Sequence, residues 1–181
     1  MTYGVRSTNT RKDEAVLVLE RFHQALSKCI GIETRFSQEI EQELWEKFVL
    51  ITTLAGMTCL NRAAVGDVIR TDDGMKFTRE LLEECLSAAR FYNHYPRPFS
   101  IKEMEEGMFD RDSPLSASML RDIESGQKTE AKHIILDMIK RSKESGNEAR
   151  ILSLVWMTLQ ARDNRVLREM NQRHKYQRSN I

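Results

Sequence analysis

Along most of the chain apolar residues recur at intervals of three and four, the period of a helix that buries one side. Between residues 11 and 29 the stripe is Ala15, Leu19, Phe22, Leu26 and Cys29, which predicts an amphipathic helix that Gly31 can stop. From Ser37, read as an N-cap with Glu39 and Glu41 in the first turns, a second helix is expected to run to about Leu60. Its second half is apolar all round, with Trp45, Phe48, Val49, Thr52 and Cys59 on one side and Leu50, Ile51, Leu54 and Met57 on the other. A helix of that kind belongs at the centre of a fold. After "TDDG" (71 to 74), Met75, Thr78, Leu82, Cys85 and Ala89 form the stripe of a third helix ending near Asn93. Ser100 with Glu103 reads as a capping box behind Pro96 and Pro98. "SMLRDIESGQKTEAKHI" (118 to 134) reads as a helix, a stop at Gly126 and a second start, continuing from about Glu130 to Glu144. A last helix is expected from about Ala149 into the basic tail. The fold class is all-α.

One segment breaks the pattern. "MTYGV" reads as a lone strand, and Thr2 to Val5 must pair with something that this chain barely supplies.

Composition narrows the function classes. At 181 residues with a formal charge of +1, the chain can bury a core and carries no field that favours nucleic acid or a membrane surface. The tail "RDNRVLREMNQRHKYQRSN" is basic, but Asp163 and Glu169 dilute it, so it reads as a solvated helix end and not a nucleic-acid site. Cys29, Cys59 and Cys85 fit neither a disulfide framework nor zinc spacing, and read as buried thiols in a reducing compartment. No run approaches twenty apolar residues and no apolar leader precedes the first helix, so the expectation is a soluble, cytoplasmic protein without a membrane partner.

Candidate chemistry is sparse. The glycines are never closer than eight residues, which excludes GxGxxG and Walker A turns from this sequence, and HExxH, GxSxG and CxxC are missing. No metal is expected. His23, His94, His133 and His174 are scattered and read as surface or satisfied histidines. Lys47 shares a helical face with Leu50, Ile51 and Leu54, so its ammonium is either partly desolvated, and suited to polarise a carbonyl, or snorkels to water. Ser118 reads as a helix cap, and Glu130 as a first-turn glutamate with Thr129 as its cap; a substrate role for either stays open on the residues alone.

Two stretches carry a resemblance. "ELWEKFVLITTLAGMTCLNRAAVGDV", followed some sixty residues later by "SASMLRDIESGQKTEAKHI", resembles the C-terminal helical domain of ketopantoate reductase (2-dehydropantoate 2-reductase). The marks are Trp-x-Lys opening a central helix and Ser-Met-x-x-Asp-x-x-x-Gly-x-x-Thr-Glu, complete here from Ser118 to Glu130. The resemblance implies a helical bundle like the C-terminal domain of 6-phosphogluconate dehydrogenase, with at most one or two short strands left from a Rossmann domain. Residues 1–36 would be the last strand and helix of that domain, and 37–181 a substrate-binding and dimerisation domain.

The implied activity is NADPH-dependent reduction of 2-dehydropantoate or a related 2-keto acid, in pantothenate biosynthesis. By the same resemblance Lys47 is the catalytic acid that polarises the ketone, while Ser118 and Glu130 bind substrate. Ile51 and Ala55 stand where the family usually has asparagines, which opens the identity of the keto acid. With no nucleotide-binding turn of its own, the chain is expected to be inactive alone, to depend on a Rossmann partner and to form a homodimer. The alternative is a non-catalytic binding or oligomerisation module derived from that domain.

Overall fold

A computed structural model describes residues 2–6, 10–29, 31 and 33–179, without the side chains of 12 and 173–179. Two strands and a helix come first: β1 (Thr2–Tyr3), α1 (Lys12–Leu26) and β2 (Arg35–Phe36). β1 lies parallel to β2, with Thr2 opposite Arg35 and Tyr3 opposite Phe36. The strand at the N-terminus therefore has a partner within the chain, which the sequence reading did not foresee. A βαβ crossover results, because parallel neighbours need a long connection and α1 supplies it. Tyr3 ties the unit together: its hydroxyl meets His23 Nδ1 on α1, and its ring meets Phe22 and Phe36 edge-on.

The rest is helical. α2 (Ile40–Asn61) is the central helix, and α3 (Val65–Ile69), α4 (Gly74–Phe91), α6 (Ser118–Glu124) and α8 (Arg150–Ser179) pack on it. α5 (Pro98–Met108) lies beside its first half, and α7 (Asp137–Glu144) packs on α4. The core is filled by Met57, Ile69, Leu81, Ile135, Met138 and Leu152, all essentially inaccessible. α2 and α4 approach closely at Gly56, where a Cβ would stand 2.8 Å from Leu81 Cδ2, so no larger residue fits there unless Leu81 moves.

Several helix ends differ from the sequence reading for local reasons. α2 begins at Ile40, and Ser37 acts from outside it, accepting from Glu39 N at 3.1 Å and donating to Glu43 Oε1 at 2.7 Å. α5 begins at Pro98 with Arg97 as N-cap, so Ser100 lies inside the helix and caps nothing. Proline at the first helical position costs no hydrogen bond, which moves the start three residues upstream. Ala117, not Ser118, occupies the N-cap of α6, and its N–H donates to Thr58 Oγ1 at 3.3 Å. The stop at Gly126 is as expected. Gly126 has φ +74°, and Gln127 N reaches Asp122 O at 2.8 Å, the 6→1 closure of a Schellman motif.

Three features had no counterpart in the sequence reading: β2, α3 and a single π-helical turn at Lys132–Leu136. Thr129 does not cap the segment that follows it; its Oγ1 is buried without a partner among the described residues. Cys59 and Cys85 are buried as expected, and burial pushes both thiols up to about 12, whereas Cys29 is exposed. Among the described residues no helix is long and apolar enough to cross a membrane.

Candidate functional site

Lys47 stands on the open side of α2, flanked on its own face by Leu50, Ile51 and Leu54, which are half-buried, and by Leu44, which is 49% exposed. The lysine is itself exposed, so in this structure its ammonium is hydrated and not desolvated as the apolar pattern allowed. It lines a cavity of about 610 Å³ between α2 and α5, together with Ile40, Glu43, Glu46, Arg97 and Met104.

The other cations there are engaged. Arg35 forks onto Glu43, with Nη1 to Oε1 at 2.9 Å. Arg97 grips Glu46 through its backbone N–H at 2.9 Å, Nε at 2.8 Å and Nη2 at 2.7 Å, and Gln42 adds a fourth donor at 3.2 Å. Burial alone would raise the Glu46 carboxyl, but these hydrogen bonds outweigh it and hold the group at about 2. Lys47 is left as a cation with no ion pair or hydrogen bond to any described residue, available to an oxygen brought from outside.

Ser118 and Glu130 do not line that cavity. Ser118 is the first residue of α6, exposed, and its hydroxyl has no described partner. Glu130 precedes the buried Ala131 and the π turn, also exposed, and its carboxylate has no partner among the described residues. Both belong to segments seated on α2: α6 through the Ala117–Thr58 bond, the π turn by packing. Lys47, Ile51, Leu54 and Thr58 follow one another along a single stripe of α2, at offsets of four, three and four. Lys47 therefore begins the stripe at whose far end, about 16 Å along the axis, α6 docks.

Sequence reasoning missed the Arg97–Glu46 clamp. Fifty-one positions separate the two, and nothing local in "WEK" or "PRP" connects them. Among the described residues no cluster of His, Cys, Asp and Glu is arranged to hold a metal ion.

Residues 39–163 match the family model described as "Ketopantoate reductase PanE/ApbA C terminal". The chain belongs to that family. The ketopantoate reductase C-terminal match covers α2 to the middle of α8, the segment that carries Lys47, Ser118 and Glu130. An uncharacterized oxidoreductase, YkpB, of Bacillus subtilis (strain 168) is 29% identical over 152 residues, covering 84% of this chain and 49% of that protein. A dimeric ketopantoate reductase from Staphylococcus aureus superposes with a TM-score of 0.73 at 16% identity, covering 91% of this chain and 55% of that one. D-mandelate dehydrogenase, in a ternary structure with NADH and anilino(oxo)acetate, gives 0.69 at 16% identity, with coverages of 91% and 53%. The solved structures share the fold, and the chain spans about half the length of each of these relatives. The all-α class and the resemblance to the ketopantoate reductase C-terminal domain are thus both established.

Proposed function

We propose that this chain is the substrate-side part of an NADPH-dependent reductase of 2-dehydropantoate or a related 2-keto acid. The observation that carries this reading is Lys47: an unpaired, accessible ammonium on the open face of the central helix, at the position to which the family resemblance gives the carbonyl-polarising role. A cation there stabilises the negative charge that grows on the ketone oxygen and can hand that oxygen a proton as the alcohol forms. By the family resemblance Ser118 and Glu130 would meet the substrate from α6 and the π turn, outside the cavity that Lys47 lines, with polar groups unengaged among the described residues. Leu44 and Leu50, which line the same cavity as Lys47, would give the substrate an apolar wall.

The residues of this chain do not fit the cofactor. A dinucleotide pyrophosphate needs a glycine turn at a helix N-terminus, and no such turn occurs in these 181 residues. The hydride donor must be held by a Rossmann partner, for which β1, α1 and β2 (within residues 1–36) offer a parallel sheet edge and an uncovered helix, while 37–181 form the substrate-binding and dimerisation part. The setting is cytoplasmic, and the assembly a homodimer.

Mixing the chain with a separately expressed Rossmann partner and following NADPH oxidation tests the reading. Turnover should need both components and fall at least about a hundredfold in Lys47→Ala. Equal turnover by Lys47→Ala would remove the lysine from the chemistry. A non-catalytic oligomerisation module is the second reading, favoured by exposed apolar side chains on α8, among them Leu154, Met157, Leu167 and Met170. Dimerisation without any turnover in the mixing experiment would select it.

A further inference from the structure

A second cavity, of about 530 Å³, opens on the other flank of α2, and Leu44 lines both. Its interior is built around Trp45, against which His94 stacks at 5.9 Å and Tyr92 tilts at 5.2 Å between ring centroids. Arg141 completes the box. Its Cζ lies 5.2 Å from the ring centroids of both Trp45 and Tyr92, and its Nε donates to Asp137 Oδ2 at 2.9 Å.

These contacts use the guanidinium face and one of its five N–H groups. The terminal nitrogens have no partner among the described residues, and the side chain is 35% exposed on the cavity wall. A fork held by two rings and a carboxylate has little conformational freedom left to lose, and it is shaped to take a second carboxylate through two parallel hydrogen bonds. The π-helical turn brings His133 to the same wall, where it supplies a further polar contact. The carboxylates already there are occupied: Asp137 by Arg141, and Glu41 by Arg6 at 3.4 Å. Phe48 and the exposed side of Leu44 form an apolar wall opposite the polar groups.

We propose that this cavity binds an organic carboxylate with an apolar body, the carboxylate held by the Arg141 fork and the body laid against Leu44 and Phe48. The volume lies in the range of small-molecule sites, and the mix of apolar walls with a few convergent polar groups is their usual composition. Lys47 takes no part in it, so the site stands whether the chain is part of a reductase or a binding module.

The chain has two tryptophans, so Trp156→Phe leaves Trp45 as the sole indole reporter. Titrating phenylacetate into that variant should change Trp45 emission saturably, with a dissociation constant of about 1 mM or tighter. Arg141→Lys keeps the charge but loses the fork, and should weaken binding about tenfold. Leu44→Asp, at an exposed position on the rim, should weaken it to a similar degree, about tenfold. Inorganic phosphate should leave the emission unchanged. A response that never saturates, or an affinity in both variants unchanged from that of Trp156→Phe alone, overturns the proposal, and so does an equal response to phosphate, which would mean a bare anion site. Amide shifts mapped with phenylacetate on the unaltered chain guard against variants that fail to fold: shifts centred on His133 and Arg141 support the site, and shifts centred on Lys47 and Leu50 refute it.

Discussion

Helices α1 and α2 both carry apolar residues at helical spacing, and only one of them buries its stripe. None of the described side chains of α1 is buried, and Leu17, Val18 and Phe22 stand 60%, 65% and 44% exposed. On α2 ten residues are buried, because α3, α4, α6 and α8 close around it. The periodicity is equally clear in both. The difference lies in what is there to pack against: α1 meets β2 and little else, since two two-residue strands make too small a sheet to cover a helix. An amphipathic pattern thus reports which face a helix could bury, and the neighbours decide whether it does.

That contrast can be broken by experiment. Leu152, fully buried where α8 packs into the bundle, should cost about 3–5 kcal/mol on truncation to Ala, whereas Leu17→Ala on α1 should change urea-unfolding stability by less than about 0.5 kcal/mol. A large loss at Leu17 would mean that a second copy of the chain covers α1.

Acid should act on the bundle through Glu46. Its carboxyl sits at about 2 in the folded chain against an ordinary value of 4.5, so the folded state gains from it above pH 4.5. That contribution, up to about 3 kcal/mol, should fade as pH falls from about 4.5 towards 2 and be missing in Glu46→Gln. An acid-unfolding curve of the variant that superposes on the parent's would show that the Arg97 clamp contributes nothing.

Glu84 gives a smaller effect. Its buried carboxylate, on α4, accepts from Ile151 N and Leu152 N at 2.9 Å each and so serves the open N-terminus of α8. Glu84→Gln should cost about 1–2 kcal/mol in thermal or urea unfolding, through the loss of one acceptor and of the charge beside the dipole. The smallest effect belongs to Lys47: lacking any described partner, Lys47→Ala should leave stability within about 0.5 kcal/mol of the parent. A marked loss there would show that the ammonium holds the fold, and would weaken its reading as a group kept free for substrate.

The longer helices and their order were legible because each is a local pattern, unlike the five-residue α3, and Gly126 stopped α6 where its spacing said it would. Ser100, Ser118 and Thr129 do not cap as expected, because a hydroxyl near a helix start is a cap only if the backbone turns in at that residue; Arg97 and Ala117 hold the cap positions of α5 and α6. β2 escaped notice because two residues carry no period. Of the candidate site, Lys47 was found through its neighbours on one helix, and Ser118 and Glu130 through a motif. His94 and His133, read as scattered, line one cavity with Trp45 and Arg141. No spacing rule could show it, since the four come from α2, α7, the turn after α4 and the π turn.

Helical period, turn glycines and the lack of a phosphate-binding turn lie within a few residues of one another, so the sequence by itself determined the all-α class, the central position of α2 and the absence of a dinucleotide cradle from these residues. Which apolar stripe is buried, which carboxylate meets Arg97 or the start of α8, and which cation is left without a partner depend on groups tens of positions apart. Only the tertiary structure decided those, because burial and charge pairing are properties of neighbours in space.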